Sequence, residues 1–235
     1  MVSLRSALAR ALLGCALCLP GAALLVPSDA SASVSIAVAF DNLVKDADAV
    51  AVITPGEQTS VWEDGRIYTY TKVHVDQGVA GDLGAGADGY VRTMGGVVGK
   101  VGQLVDGEPV FVKDKASLLF LRKFKAGGVY EVSARAQGQY PIVIDEKTKQ
   151  RRLIRSMSVG MLLPPKNAAA TQAPPVSGGV QPQSAPQAGV TGGLSEAQKL
   201  RLAQDVMHDK PFDDATREIS VAWKRLHPAP TTPTK

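Results

Sequence analysis

The stretch that most limits what this chain can fold into is Ile67–Val75, which alternates without a break. Strand side chains repeat every two residues, so Ile67, Thr69, Thr71, Val73 and Val75 share one face and Tyr68, Tyr70, Lys72 and His74 the other. Just before it stands Trp62-Glu63-Asp64-Gly65-Arg66, and Asp-Gly supplies the positive φ angles of a tight hairpin. A lone hairpin is marginal in water, so its apolar face must be covered by further strands.

The neighbouring sequence supplies them. Asp48 to Thr54 reads as a buried strand ended by Pro55-Gly56, and Gly89 to Met94 as another. Ala116 to Phe124 is continuously apolar around Leu118-Leu119-Phe120-Leu121, as expected of a central strand. Gly127-Gly128 turns this strand into Val129–Ala136. Tyr140–Ile144 follows, with Arg152–Ile154 placed to pair across the Asp145–Gln150 turn. Gly95–Gly102 reads as a glycine-rich loop and Asp106-Gly107 as a second hairpin turn. Phe40, Leu43 and Val44 lie at helical spacing and predict one short helix. The fold expected is mainly β: a small OB-like closed barrel, or a sandwich, of about six or seven strands with one short helix.

Composition divides the chain into four parts. Residues 1–32 read as a signal peptide, with Arg5 and Arg10 ahead of an apolar run from Ala11 to Val26. Small residues Ala30 and Ala32 occupy the −3 and −1 positions of the cleavage site. The run is shorter than the roughly 20 residues that span a bilayer, and Pro20-Gly21 interrupts it, so no membrane span is expected after cleavage. Leu12-Leu13-Gly14-Cys15 has the outline of a lipoprotein signal, but only four residues separate Arg10 from Cys15, so cleavage is expected and not lipidation. Residues 33–163 form the β-domain. Residues 164–193, rich in Pro, Ala, Gln and Gly, form a linker that buries too little surface to order itself. Residues 194–235 regain helical periodicity and predict a helical hairpin and tail.

Cys15 and Cys18 are the only cysteines and both leave with the leader, so the folded part must stand on its hydrophobic core. The formal charge of the whole chain is +4, a mild excess that does not imply nucleic acid.

Several segments together resemble a recurrent exported bacterial β-domain family of unknown function. They are Leu43-Val44, Asp46–Val50, Tyr68–Val75 running into Val79-Ala80-Gly81-Asp82-Leu83, Gly95–Gly99, Leu118–Leu121 and Ala136–Tyr140, roughly half the chain. More distantly, a strand followed by a long amphipathic strand ending in a V-x-G step is similar to netrin-like OB-fold domains, including the tissue inhibitors of metalloproteinases. That resemblance implies a fold. The inhibitors chelate zinc through an N-terminal cysteine, which a chain starting near Ser33 lacks.

No motif for catalysis stands out. His74, His208 and His227 show no paired metal-ligand spacing, and His74 reads as part of a polar strip with Tyr70, Lys72 and Asp76. Ser156-Met157-Ser158-Val159-Gly160 lacks the first glycine of a nucleophile elbow. Gly95–Gly102 has the wrong spacing for a phosphate loop. Glu63-Asp64 and Asp106/Glu108 read as turn carboxylates kept for solubility. No cofactor or metal is expected.

Binding is the better prospect. Lys147, Lys149, Arg151, Arg152 and Arg155 form a cluster suited to anions, and Lys113, Lys115, Arg122, Lys123 and Lys125 a second group. In the tail, Phe212, Ala215, Ile219, Trp223 and Leu226 make an apolar stripe, with Phe212, Ile219 and Trp223 as candidate partner contacts. The function expected is that of an exported, non-catalytic binding or structural module, periplasmic or extracellular. Its partner would be a protein or an anionic envelope component and not nucleic acid. A secreted hydrolase and a protease inhibitor are the alternatives. The mature chain is expected to begin at Ser33, and N-terminal sequencing with intact mass of the secreted protein checks this.

Overall fold

The computed structural model describes residues 34–125, 127–165 and 200–228. The leader with Ala30 and Ala32 and almost all of the expected linker lie outside these residues. So does the end of the tail.

The chain is mainly β. Two long strands, β2 (Ala49–Glu63) and β3 (Arg66–Gly81), form the expected hairpin. Its two-residue turn holds Asp64 at φ 52° and Gly65 at φ 75°, with Glu63 opposite Arg66. Ile67, Thr71, Val73 and Val75 are buried, while Lys72, His74 and Asp76 are exposed, as the alternation requires. Pro55-Gly56 does not end the strand. The register slips between Pro55 and Gln58, and this bulge absorbs the proline's missing N–H while β2 continues.

Further strands follow: β4 (Asp88–Met94), the short pair β5 (Gly96–Val98) and β6 (Val101–Gln103), β7 (Ser117–Lys125), β8 (Val129–Val132), β9 (Gln139–Ile144), β10 (Arg151–Leu153) and β11 (Met161–Leu163). The expected Gly95–Gly102 loop is thus a small hairpin, turned at Gly99. Asp106-Gly107 makes a turn, but no strand flanks it. β1 (Val34–Ile36) pairs in parallel with β11 as a separate ribbon.

The main sheet has eight strands in the order β12-β10-β9-β7-β2-β3-β4-β8, where β12 is Lys210–Pro211. β8 pairs in parallel with β4 and antiparallel with β7. β7 is therefore bonded to β2, β8 and β9, the central position that its continuous apolar run foretold.

Both faces of the β2–β7 pair are buried. Ala51, Ile53, Leu119 and Leu121 point into one cluster with Val73, Val75, Val91 and Val132. Val50, Val52, Leu118 and Phe120 point the opposite way, into a second cluster with Phe40, Leu43 and Val44 of helix α1 (Phe40–Lys45).

That second cluster is completed from the C-terminal segment. Leu202 bridges to Ala39, and the N–H groups of Phe40 and Ala203 donate to the carbonyls of Arg201 and Val38 at 2.8 and 2.9 Å. Helix α2 (Ala203–Met207) buries Ala203 and Met207, and helix α3 (Phe212–Leu226) buries Phe212, Ala215, Ile219 and Ala222. The expected helical hairpin is corrected here. Among the described residues the segment is one short helix, a two-residue strand and one long helix, and it shares its core with the β-domain. No helix among the described residues is long and apolar enough to cross a membrane.

Full burial of a Phe or Ile side chain contributes roughly 1.5–3 kcal/mol. Ile219→Ala is expected to cost about 3 kcal/mol of unfolding free energy in urea titration. Val221→Ala, on the exposed face of the same helix, should change it by no more than about 0.5 kcal/mol.

Candidate functional site

The outer face of β3 and β4 gathers the groups that alternation alone left on the surface. The register sets Tyr70 opposite Arg92 and Tyr68 opposite Met94. Arg122 on β7 stands opposite Glu131 on β8, and β8 runs beside β4, so Arg92 meets Glu131 across the parallel pair. The hairpin turn carries Glu63 back over the same face.

Arg92 is the centre of this arrangement, with its side chain only 7% exposed. Its guanidinium carbon lies 3.4 Å from the Tyr68 ring centroid and 4.2 Å from that of Phe124. The electron-rich ring faces attract the cation while keeping water away from it. Arg92 Nη1 donates to Glu131 Oε1 at 2.7 Å and Nε to Glu63 Oε2 at 3.3 Å. The Tyr70 hydroxyl and Lys125 Nζ also donate to Glu63, at 2.8 and 2.9 Å, and Arg122 Nη2 donates to Glu131 Oε2 at 3.1 Å. A buried guanidinium without such partners would be strongly destabilising.

The titration of these groups follows from the contacts. Hydrogen bonds from Lys125 and then Tyr70 hold the Glu63 carboxyl down at about 2. Burial, and then the bond to Glu63, raise the Tyr70 phenol. Burial opposes the charge on Arg92, but the Glu131 bond and the Glu63 charge outweigh it and raise its pKa.

Beside this cluster opens a cleft of 260 Å³. Tyr68, Arg92 and Met94 line its floor, Glu108 and Glu131 its walls, and Arg122 and Arg135 its rim. Glu108 accepts from the Met94 N–H at 3.1 Å and pairs with Arg135 Nε at 3.2 Å. Burial raises its pKa against both of these contacts.

The rim is built on strained backbone. Ala134 and Arg135 both adopt left-handed conformations, at φ 55° and 54°, which cost of order 1–3 kcal/mol each for residues other than glycine. The Ala136 N–H donates to the Gly107 carbonyl at 2.9 Å and holds the turn. Gly138 closes it, since a Cβ there would lie 2.1 Å from the Ser133 carbonyl oxygen.

The residues singled out from sequence lie elsewhere. Lys147 and Lys149 are exposed on the β9–β10 turn. Arg151 covers the Phe212 ring at 3.9 Å and pairs with Asp213 at 3.7 Å. Arg152 pairs with Asp209 at 2.9 Å, and Arg155 reaches Gln204 at 3.3 Å. These three arginines fasten the C-terminal segment to the sheet. Phe212 and Ile219 are 2% and 0% exposed, so they are core residues and not a docking surface. Trp223 packs partly buried against the same core and stacks on His227 at 3.9 Å.

His74 lies on the surface, 2.9 Å from Asp88. Among the described residues, no three His, Cys, Asp or Glu side chains gather as a metal-holding group.

By local sequence Glu63 and Glu108 are solvated turn residues, and Arg92 belongs to no motif. Their partners are 7 to 62 residues away in sequence, and only the folded sheet brings them together. The one available signal was an arginine set between Tyr90-Val91 and Thr93-Met94 inside a strand.

No family model, curated protein or solved structure matches the chain.

Because Glu63 ionises more readily folded than unfolded, its contribution to stability is complete above pH 4.5 and is lost as pH falls toward about 2. Glu63→Gln is therefore expected to lose less stability than the parent across this interval, as read by urea midpoints at successive pH values.

Proposed function

We propose that the chain is an exported, non-catalytic binding module whose central strands close into a small OB-like barrel, with the Arg92 cleft as its ligand site. The circuit of pairings from β7 through β2, β3, β4 and β8 back to β7 supports the barrel. Within it only β4–β8 is parallel. OB barrels bind their ligands on the face of their second and third strands. Here those strands are β3 and β4.

The observation that carries the reading is the position of the cleft on that face, framed by a rigid charged floor and a strained rim. Backbone strain of this kind persists where the surroundings over-determine it, and such places are commonly binding sites. A pre-organised floor lowers the entropic cost of capturing a ligand. The leader pattern of Arg5, Arg10 and the Ala30/Ala32 cleavage motif supports an exported setting.

The test is a glycan and peptide array probed with the secreted chain, alongside a Met94→Trp variant whose indole fills the cleft. Ligands of the parent are expected to lose the variant. Retention of every ligand by Met94→Trp would remove the cleft as the site.

A further inference from the structure

Resting on that reading, we infer that the cleft recognises one carboxylated sugar residue of an anionic polysaccharide, with Arg122 and Arg135 gripping the carboxylate. Its volume of 260 Å³ is below the roughly 300–1,000 Å³ of sites that enclose drug-sized ligands. A space of that size takes a single monomer, and the rest of a chain would pass over the rim.

The lining chooses the kind of monomer. Arg122 and Arg135 are 60% and 56% exposed, so both guanidiniums reach solvent. Each is anchored along one edge, Arg122 by Nη2 to Glu131 and Arg135 by Nε to Glu108. Among the described residues, the terminal nitrogens of Arg135 have no hydrogen-bond partner within the chain. A planar guanidinium presents its donors in a fork that matches a carboxylate, and anchoring removes much of the entropy such a contact would cost. The three guanidiniums of the lining exceed its two carboxylates by one positive charge. Glu108 and Glu131 retain lone-pair sites beyond those their present partners use, and these accept from hydroxyls. A sugar acid offers both groups, a carboxylate and several hydroxyls, within one ring.

Other anionic polymers fit less well. Single-stranded nucleic acid needs open aromatic faces for its bases, yet the Arg92 guanidinium covers the Tyr68 ring at 3.4 Å. An extended peptide usually binds by adding to an open strand edge, whereas β4 is bonded to β3 and β8, and β8 to β4 and β7. The cleft offers side chains and no free edge.

The probes are oligogalacturonate, with one carboxylate per sugar, its neutral methyl ester, a short polyglutamate and inorganic phosphate. Each is titrated calorimetrically into the mature secreted chain. Oligogalacturonate is expected to bind, the ester to bind at least about tenfold more weakly, and Arg135→Gln and Arg122→Gln each to weaken the acid about tenfold while leaving the ester unchanged. Arg135→Lys should recover only part of the loss, because a point charge lacks the fork. Equal affinity for acid and ester, or indifference to both glutamine variants, overturns the carboxylate grip. Arginine-dependent binding of polyglutamate or phosphate without oligogalacturonate overturns the sugar. In either case the binding-module reading survives if some array ligand is still lost by Met94→Trp, and it falls if none is.

Discussion

The β2–β7 strand pair is buried on both faces, and most of the architecture follows from having to cover them. Toward one side, Ala51, Ile53, Leu119 and Leu121 need an apolar lid, and β3, β4 and β8 provide it, with β8 bonded to both β4 and β7. Toward the other, Val50, Val52, Leu118 and Phe120 need a second lid. Helix α1 is only six residues long and cannot cover them alone. The C-terminal segment completes that side with Met207, Phe212 and Ile219, although it is joined through residues 166–199. Its charged fastenings are arranged around the apolar contact. Arg201 and Lys210 both pair with Glu218, Arg152 with Asp209, and Arg225 with Asp41. Most of these pairs are exposed and individually worth little, so the burial of the apolar stripe supplies most of the adhesion.

The same pairings create the candidate site. When β8 returns to meet β7 it also lies beside β4, and Glu131 is set between Arg92 and Arg122. The charge cluster is thus a product of the pairing of β8 with both β4 and β7. Tyr68 and Phe124 shield the guanidinium, the two carboxylates neutralise it, and the left-handed pair at Ala134–Arg135 carries the rim across to Glu108. Mobile side chains would have to be ordered on binding; here the floor is ordered already, which favours selective recognition by a small site.

Much of the local structure was readable in the chain, and for a physical reason. The Asp64-Gly65 turn, the alternation of Ile67–Val75, the unbroken run at Leu118–Leu121 and the Phe40/Leu43/Val44 face each depend on backbone geometry and on which neighbours lie within a few residues. The reading failed where distant partners decided the outcome. Pro55-Gly56 looked like a stop, but its strand had partners to continue along, and a bulge was the cheaper solution. Phe212 and Ile219 looked available to another protein because nothing in the local pattern says whose core an apolar stripe will join.

Sequence by itself determined the β class, the placement of the principal strands, the short helix and a core without disulfide support. It did so because periodicity, turn chemistry and composition act over a few residues. Tertiary structure decided which charges are functional candidates. Arg151, Arg152 and Arg155 form a basic cluster in sequence, yet in space each faces its own partner on the C-terminal segment. Arg92, Glu63, Glu131, Arg122 and Arg135 are scattered in sequence and convergent in space. Electrostatic environment is set by distance and by exclusion of water, and both exist only once the sheet has formed.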